Sequence, residues 1–388
     1  MKIGEKIKDE LQQIEDSGLL RRLAPPKGVD LASNDYLGLA GDERLKAALI
    51  EGLTREGIGS TGSRLLRGER DCFSDAEERF AVWKGSESSL YFATGYQANV
   101  GVMQTFLKRG DVVFSDELNH ASLIDGIRLS KCNKAIFRHC DIDDLKQSLE
   151  KTNCSGQKFL VTESLFSMDG DIAPLREYAG ICRETNTNLI VDEAHSVGLY
   201  GLRGSGLIEE FGIEKDVFLS INPMGKALGV SGAFVSGDRN TIRYLINKCR
   251  SFVFSTAPIP AIADVLVAAV DIVEHGKDLR KELRAICDLF NRKLVEFGLD
   301  APKEATQIVP VVIGDSKEAM WIASRMQDAG YDVRAIRPPT VAEGTSRLRI
   351  SLNVMLTNEV LSDFVDKLCE ELKSAQQDQD SAEKCTGE

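Results

Sequence analysis

Between residues 75 and 236 the chain alternates short apolar runs with amphipathic segments, and this alternation constrains the fold more than any other feature. The apolar runs predict strands near 88–92, 111–114, 134–137, 158–162, 188–192, 216–221 and 232–236. The amphipathic segments predict helices near 75–84, 97–108, 120–131, 142–151 and 175–186. Strands that alternate with covering helices pair in parallel. We therefore predict an α/β domain built on a large, mostly parallel seven-stranded sheet.

The remaining segments predict a second, smaller α+β domain at the C-terminal end. Further helices are expected near 2–17, 42–55, 258–275, 277–297, 316–328 and 357–374, and further strands near 307–313, 332–336 and 347–352. We expect an N-terminal helix and arm over 1–45, a large domain over 46–275, a small domain over 276–374 and a polar, disordered tail over 375–388.

Composition excludes several classes of protein. A net charge of −12 and a pI near 5.1 argue against a nucleic-acid-binding surface. No apolar run approaches the roughly 20 residues needed to span a membrane. The nine cysteines form no Cys-x-x-Cys pair, and with no signal peptide we expect free thiols in the cytoplasm. The four histidines lack metal-ligand spacing, so no metal site is expected.

A carboxylate and an imidazole follow the apolar run Leu189–Val191, where the predicted strand ends. Ligands of open α/β sheets bind at the carboxyl ends of strands, and a carboxylate there is costly without a cation or several donors. Asp192 and His195 hold these positions, and Lys226 follows later between small residues that leave room for a flat ligand. An amine for a Schiff base, a carboxylate for a ring nitrogen and an imidazole for a ring oxygen are what pyridoxal phosphate (PLP) requires.

Each of these features alone has a plainer explanation. A lysine in a Gly/Ala loop, such as Lys226, is usually solvated. The sequence Asp-Glu-Ala-His at 192–195 also occurs in nucleotide-hydrolysing helicases, but these need a Gly-x-x-x-x-Gly-Lys-Ser/Thr loop that the sequence lacks. The glycine-dense segment Gly57–Gly68 matches neither that loop nor a dinucleotide-binding pattern. The combination of features therefore carries more weight than any one of them.

Two further segments are candidate anion contacts. Thr94–Gln97 lies between a predicted strand and helix, and backbone N–H groups at a helix start bind phosphate. For the Tyr96 ring, a cofactor contact and ordinary packing both stay open. For Arg21–Arg22, a solvated pair and an anion contact both stay open.

Several motifs together resemble those of the α-oxoamine synthases, which are fold-type I PLP enzymes. The motifs are Ser33–Leu39, Gly59–Arg64, Asn119–Ser122, Phe166–Asp171, Val191–Ser196 and Gly225–Gly229. The resemblance covers nearly the whole chain. It implies PLP as cofactor, condensation of an amino acid with an acyl thioester with loss of carbon dioxide, and a homodimer whose sites share residues of both subunits.

One stretch narrows the expected substrates. Ala335–Val341, followed by Gly344–Arg349, resembles the branch of the family that joins L-alanine to a pimeloyl thioester in biotin biosynthesis. Branches that use glycine or serine are the alternative, and the acyl carrier, CoA or an acyl-carrier protein, stays open. An aminotransferase would share Asp192 and Lys226 but pass the amine to a second keto acid. A non-catalytic PLP-binding protein is a further possibility.

The resemblance also implies a role for each matching residue. Lys226 would bind PLP covalently and move the α-proton, Asp192 would pair with the pyridinium nitrogen, and His120 would stack on the ring. The other implied cofactor contacts are Gly95, Tyr96, Ser167 and His195, with Ser255 and Thr256 from the partner subunit. The implied substrate contacts are Arg21, Asn34, Thr340 and Arg349, the last for the amino-acid carboxylate. His139 and His275 are expected to be structural or surface residues.

Two positions depart from the family pattern. Pro223 stands where the family usually has a Thr whose hydroxyl meets the PLP phosphate, and proline offers neither a hydroxyl nor an N–H. We therefore expect weaker retention of PLP. Phe73 stands where the family usually has His, and Ser164 where many relatives have Gly. These are expected to be local structural differences.

Overall fold

The computed structural model describes the backbone of residues 2–386 and the side chains of residues 2–375. The chain divides into two compact units. The smaller unit contains the chain up to Asn34, Met168–Gly170 and the chain from Glu282 onward. The larger unit contains Asp35–Ser167 and Asp171–Lys281.

The secondary structure follows the predicted order closely. The strands are β1 (Val29–Asp30), β2 (Ser88–Phe92), β3 (Val112–Asp116), β4 (Asn133–Phe137), β5 (Lys158–Glu163), β6 (Thr187–Asp192), β7 (Val217–Pro223), β8 (Ala233–Gly237), β9 (Ile308–Gly314), β10 (Tyr331–Asp332), β11 (Arg334–Ile336) and β12 (Ser346–Ser351). The helices are α1 (Ile3–Asp16), α2 (Glu43–Glu56), α3 (Asp71–Lys84), α4 (Gly95–Phe106), α5 (Ala121–Ser130), α6 (Ile142–Lys151), α7 (Leu175–Thr185), α8 (Leu207–Phe211), α9 (Arg239–Lys248), α10 (Arg250–Val253), α11 (Ala261–His275), α12 (Lys277–Glu296), α13 (Ser316–Asp328) and α14 (Asn358–Thr386).

A seven-stranded sheet forms the centre of the larger unit, with the strand order β2-β8-β7-β6-β5-β3-β4. The pairs β3–β4, β3–β5, β5–β6 and β6–β7 are parallel, which confirms the predicted fold class. Strand β8 is antiparallel to both of its neighbours, so the sheet is mostly parallel, as predicted. Strand β8 is antiparallel because a loop without a helix joins β7 to β8, and a chain that returns without a crossover pairs antiparallel.

The central strands contain buried apolar runs because helices cover both faces of a parallel sheet. Leu189, Ile190 and Val191 of β6 are fully buried, and so are Val112 and Val113 of β3. These apolar side chains fill the interior of the unit. Polar side chains follow them at the carboxyl ends of the strands. Strands β5, β6 and β7 end at Glu163, Asp192 and Pro223.

The smaller unit contains a three-stranded antiparallel sheet with the order β11-β12-β9. The predicted strand 332–336 is divided at Val333, because β10 pairs in parallel with β1 whereas β11 pairs with β12. Phe290 of α12 and Phe364 of α14 pack together in the core of this unit, with ring centroids 6.1 Å apart. The N-terminal segment thus belongs to this unit through the β1–β10 pair.

Helix α1 has the predicted amphipathic pattern, with an exposed row formed by Ile3, Ile7, Leu11 and Ile14. None of the helices in the described part of the chain combines the length and the apolar character needed to cross a membrane. Helix α14 extends to Thr386. The side chains beyond Ala375 lie outside the described residues, so the predicted disordered tail over 375–388 stays a prediction.

Candidate active site

The carboxylate of Asp192 lies at the carboxyl end of β6 and is only 3% exposed. Its Oδ2 accepts a hydrogen bond from Asn99 Nδ2 at 2.7 Å, and its Oδ1 accepts one from the backbone N–H of Ala194 at 2.9 Å. Both donors are neutral. The buried negative charge therefore lacks a cation among its hydrogen-bond partners in the described part of the chain, and such a charge is costly without one.

A short network links Asp192 to His120. Asn99 Nδ2 also donates to Ser122 Oγ at 2.8 Å, and Ser122 Oγ lies 2.7 Å from Nδ1 of His120. The backbone N–H of Ser122 donates to the same Nδ1 at 3.2 Å, so this nitrogen is an acceptor. His120 is the residue that caps helix α5. The network fixes the orientation of the His120 ring relative to Asp192.

The charges of Lys226 and Asp192 both act on His120. Desolvation by the surrounding protein lowers the pKa of His120, the Asp192 carboxylate opposes this and the Lys226 ammonium adds to it. The imidazole is therefore neutral at neutral pH, which agrees with an acceptor role for Nδ1. The structure thus brings three of the predicted site residues close enough to influence each other electrostatically.

A second carboxyl group, that of Glu163, ends the strand next to β6 in register with Asp192. Glu163 is 2% exposed, and its Oε1 has no hydrogen-bond partner within the described residues. Burial raises its pKa well above the usual value and the nearby Asp192 adds to the shift, whereas Lys226 and the backbone N–H of His120 oppose it. Glu163 is therefore held neutral, and the two strand ends carry one negative charge rather than two.

Lys226 lies in the loop that follows β7. The backbone N–H of Gly229 donates to the carbonyl of Lys226 at 2.8 Å, which closes a tight turn. Gly229 has a φ of +68°, and a Cβ atom there would lie 2.5 Å from the backbone nitrogen of Ala40. Glycine is required at this position because the turn needs a left-handed residue and leaves no space for a side chain.

Helix α4 begins at Gly95, next to the end of β7. Thr94 caps the helix by accepting a hydrogen bond from the backbone N–H of Gln97 at 3.1 Å. A Cβ atom on Gly95 would lie 2.7 Å from Cγ of Pro223, so the proline ring packs directly against this helix start. The side chain of Tyr96 is half exposed and its hydroxyl donates to the Asp125 carboxylate.

His195 and Ser167 occupy the loops that follow β6 and β5. Nδ1 of His195 lies 2.7 Å from the hydroxyl of Tyr36, and both side chains are buried. Ser167 follows Leu165, which forms an isolated antiparallel bridge with Ile172.

His139 contacts the residues around the Ser167 loop, so of the two expected alternatives it is a structural residue and not a surface one. Its Nδ1 lies 2.9 Å from Asp116 Oδ1 and its Nε2 lies 2.7 Å from Asp171 Oδ2. The edge of its ring packs on Phe166, with the ring centroids 4.4 Å apart. Burial alone would lower its pKa, but the hydrogen bonds to Asp116 and Asp171 raise the pKa of His139 to about 12. The protonated ring therefore joins the end of β3 to the residues that flank Ser167.

Ser255 and Thr256 lie after α10, against the glycine-dense loop of the same chain. The backbone N–H of Ala257 donates to the carbonyl of Gly62 at 2.9 Å, and Ser60 Oγ donates to the carbonyl of Pro258 at 2.6 Å. That Ser255 and Thr256 act in a partner subunit stays a prediction.

The four predicted substrate residues lie in the smaller unit and form two pairs. Arg349, only 7% exposed, donates through Nη2 to Asn34 Oδ1 at 3.0 Å. It also donates through Nη1 to Ser351 Oγ at 2.7 Å. Arg21 donates to Thr340 Oγ1 at 3.3 Å. The structure thus joins Arg349 with Asn34, and Arg21 with Thr340.

Comparison with known proteins identifies the class. A family model described as aminotransferase class I and II matches residues 26–368. A serine palmitoyltransferase from S. paucimobilis, solved with bound PLP, has a TM-score of 0.89 at 26% identity and covers 96% of this chain and 98% of its own. The chain belongs to the PLP-dependent enzymes of aminotransferase class I and II.

The relatives within that class are more specific. An 8-amino-7-oxononanoate synthase of Anaeromyxobacter dehalogenans is 42% identical over 357 residues, covering 89% of each protein. The solved 8-amino-7-oxononanoate synthase from Francisella tularensis has a TM-score of 0.79 at 29% identity, covering 89% of this chain and 98% of its own. Within the class, the chain belongs to the 8-amino-7-oxononanoate synthase family and is a PLP-dependent acyltransferase.

The residues of the larger unit fit PLP. Asp192 is a buried carboxylate with neutral hydrogen-bond donors, and a protonated pyridine nitrogen would add a cationic donor. Gly95 and Tyr96 offer the backbone N–H groups of a helix start to a phosphate. Lys226 offers an amine close enough to His120 to lower its pKa.

Sequence reasoning missed several residues of the site. Asn99 was visible only as a polar residue within the apolar run Ala98–Val102, which is a weak signal. Tyr36 lies in a motif that was identified, but nothing in the sequence links it to His195, 159 residues away. Glu163 and Asp116 likewise end strands whose neighbours the sequence does not specify.

The His139 contacts predict a pH dependence of stability. The pKa of His139 rises from about 6.5 in the unfolded chain to about 12 in the folded chain. The protonated imidazole therefore contributes its full stabilisation of the folded protein below about pH 6.5. The contribution is lost as the pH rises towards 12, by at most about 1.4 kcal/mol per pH unit. The gap in thermal unfolding midpoint between wild type and His139→Asn should therefore be largest at pH 6 and smaller at pH 9. His275→Asn, which removes an exposed imidazole, is the control. A gap that does not change with pH would contradict this account.

Proposed function

We propose that the chain condenses L-alanine with a pimeloyl thioester, releasing carbon dioxide and forming 8-amino-7-oxononanoate for biotin biosynthesis. The observation that carries the proposal is the convergence of Lys226, Asp192 and His120 at one end of the central sheet, in a chain whose relatives bear that name. The alternative is another α-oxoamine synthase that uses glycine or serine. Its support is the similarity to a serine palmitoyltransferase.

The proposed cofactor contacts follow from the chemistry of each group. Bound PLP draws electrons from the α-carbon of the amino acid, which makes bonds at that carbon easier to break. Asp192 keeps a proton on the pyridine nitrogen, because its buried carboxylate favours a cationic neighbour. His120 covers the ring face as a neutral imidazole, and Lys226 removes and returns the proton at the α-carbon.

Contacts at the edge of the cofactor complete its binding. His195 and Ser167 contact the ring oxygen, and the backbone N–H groups of Gly95 and Tyr96 bind the phosphate. Ser255 and Thr256 reach the phosphate from a partner subunit. Their loop and the glycine-dense loop expose Ile58, Leu66 and Phe254 by 85%, 85% and 72%. Exposed apolar side chains of this size are typical of a subunit interface, which supports a homodimer.

Arg349 is proposed to bind the carboxylate of alanine. Its guanidinium is nearly buried and is oriented by hydrogen bonds to Asn34 Oδ1 and Ser351 Oγ. A planar guanidinium held in one orientation can bind a carboxylate through two parallel hydrogen bonds.

Arg21, Thr340 and Arg337 are proposed to bind the far carboxylate of the pimeloyl chain. Arg337 donates to the carbonyl of Gly18, and Arg21 donates to Thr340. Two hydrogen bonds therefore join the segment 18–21 to the segment 337–340. Burial lowers the pKa of Arg337, and the positive charge of Arg21 lowers it further. Two adjacent guanidinium groups repel each other, and an anion bound between them would relieve that repulsion.

We propose that the enzyme works in the cytoplasm. The eight cysteines within residues 2–375 are all free thiols, which is typical of a reducing compartment. The structure is compatible with CoA or an acyl-carrier protein as donor of the acyl group.

The proposed reaction predicts a specific substrate pattern. With pimeloyl-CoA present, purified protein should release carbon dioxide and free CoA faster with L-alanine than with glycine or L-serine. Lys226→Ala should lose this turnover, because the group that moves the α-proton is gone, whereas Lys215→Ala, at an exposed position, should retain it. Turnover by Lys226→Ala, or transfer of the amine to a keto acid without release of carbon dioxide, would contradict the proposal.

With proline at position 223, we predict that the protein binds PLP more weakly than it would with threonine there. A threonine there would place a hydroxyl near the helix start at Gly95, and one charge-assisted hydrogen bond contributes roughly 1.5–3 kcal/mol. Pro223→Thr should therefore bind PLP about tenfold tighter than Pro223→Ala, measured by equilibrium dialysis. The alanine variant controls for the loss of the proline ring. Equal dissociation constants for the two variants would exclude this explanation.

The arginine pair predicts a preference for a charged acyl chain. Arg337→Leu should raise the KM for pimeloyl-CoA about tenfold or more, since a hydrogen bond to a charged group contributes roughly 1.5–3 kcal/mol. The KM for alanine should not change, and neither should that for heptanoyl-CoA, which lacks the far carboxylate. Arg22→Leu, at a residue paired with Glu15, is the matched control. Equal losses with the two acyl thioesters would argue against a carboxylate site.

A further inference from the structure

The side chain of Tyr36 makes a buried contact with His195. The hydroxyl lies 2.7 Å from Nδ1, and the two residues are 0% and 4% exposed. Tyr36 sits in a turn that Asp35 closes, because Oδ1 of Asp35 accepts from the backbone N–H of Leu39 at 2.9 Å and of Ala40 at 3.3 Å. The turn therefore fixes the position of the phenol ring before any ligand binds.

The same turn also contacts the loop of Lys226. The backbone nitrogen of Ala40 would lie 2.5 Å from a Cβ atom on Gly229, so the two loops pack backbone against backbone. One turn thus contacts both the loop that carries the amine and the imidazole of His195. A side chain in this turn can position a cofactor contact without touching the cofactor itself.

We infer that Tyr36 is a positioning residue, whose hydroxyl donates to Nδ1 of His195 and fixes this imidazole as the neutral tautomer with its proton on Nε2. The inference rests on the proposed contact of His195 with the cofactor's ring oxygen. With Nδ1 engaged by Tyr36, that contact has to be made through Nε2. The bond to one ring nitrogen of a histidine decides which nitrogen carries the proton.

The direction of the hydrogen bond between Tyr36 and His195 follows from the charge of the cofactor's ring oxygen. A phenol O–H can donate a hydrogen bond, and a neutral imidazole has one acceptor nitrogen. If His195 instead donated from Nδ1 to Tyr36, its Nε2 would present a lone pair to an oxygen that carries negative charge. The arrangement with Tyr36 as donor avoids that repulsion and supplies a donor to the oxygen.

The test compares Tyr36→Phe with Tyr178→Phe in the full-length protein. Tyr178 is the matched control because it is also fully buried but its hydroxyl has no hydrogen-bond partner within the described residues. Nitrogen-15 NMR of labelled histidines, recorded with and without PLP, reports the tautomer of His195. Equilibrium dialysis reports the dissociation constant of PLP.

We expect Tyr36→Phe to lose the preference for a proton on Nε2 and to bind PLP roughly three- to tenfold more weakly, since one neutral hydrogen bond contributes that much. Tyr178→Phe should match wild type in both measurements. An unchanged tautomer in Tyr36→Phe, with unchanged PLP affinity, would overturn the inference.

A double-mutant cycle separates this inference from the proposed function. In a His195→Gln background, Tyr36→Phe should cause no further loss of PLP affinity, because its partner is absent. A further loss as large as in wild type would overturn the inference, since Tyr36 would then act by another route. If His195→Gln alone leaves PLP affinity unchanged, the proposed role of His195 fails, while the NMR measurement still decides the role of Tyr36.

Discussion

The carboxylate of Asp192, buried directly after the apolar run Leu189–Val191, is the constraint on which the site depends. A buried negative charge is tolerated only with a cation or with several donors. Here the donors in contact are neutral, and the neighbouring Glu163 and His120 are held neutral by burial. The strand ends therefore carry one buried carboxylate whose hydrogen-bond donors are neutral, which suits a protonated pyridine nitrogen better than a neutral ligand.

A buried ion pair holds the residue that follows Asp192. Lys84 is buried and forms an ion pair with Glu193, the residue next to Asp192. Glu193 also accepts from the backbone N–H of Ile208 at 3.0 Å. Such pairs contribute little net stability, but they fix the position of the chain they hold. The contacts of Glu193 with Lys84 and Ile208 therefore fix the turn after β6. They keep Asp192 and His195 in place without adding an unpaired charge to the site.

The sequence predicted the order and the limits of most strands and helices, because buried parallel strands are continuous apolar runs and the helices are amphipathic. It did not specify which strand is antiparallel, because the pairing of β8 depends on the connection, and it missed the division of strand 332–336 at Val333. Helices α8, α9 and α10 were also missed. For α8 and α10 the reason is that four or five residues carry little periodicity. Motifs located Asp192 and Lys226, but not Asn99, whose contact with Asp192 spans 93 residues.

The two units carry different parts of the proposed chemistry. The groups that would act on the cofactor, Lys226 and Asp192, lie in the larger unit, whereas Arg349 and the Arg21–Arg337 pair lie in the smaller one. Function depends on such sites rather than on the fold that carries them. A change of acyl substrate would thus require new side chains in the smaller unit while the cofactor contacts stay the same. The residues around Arg337, rather than the lysine motif, are therefore where differences in substrate should be sought.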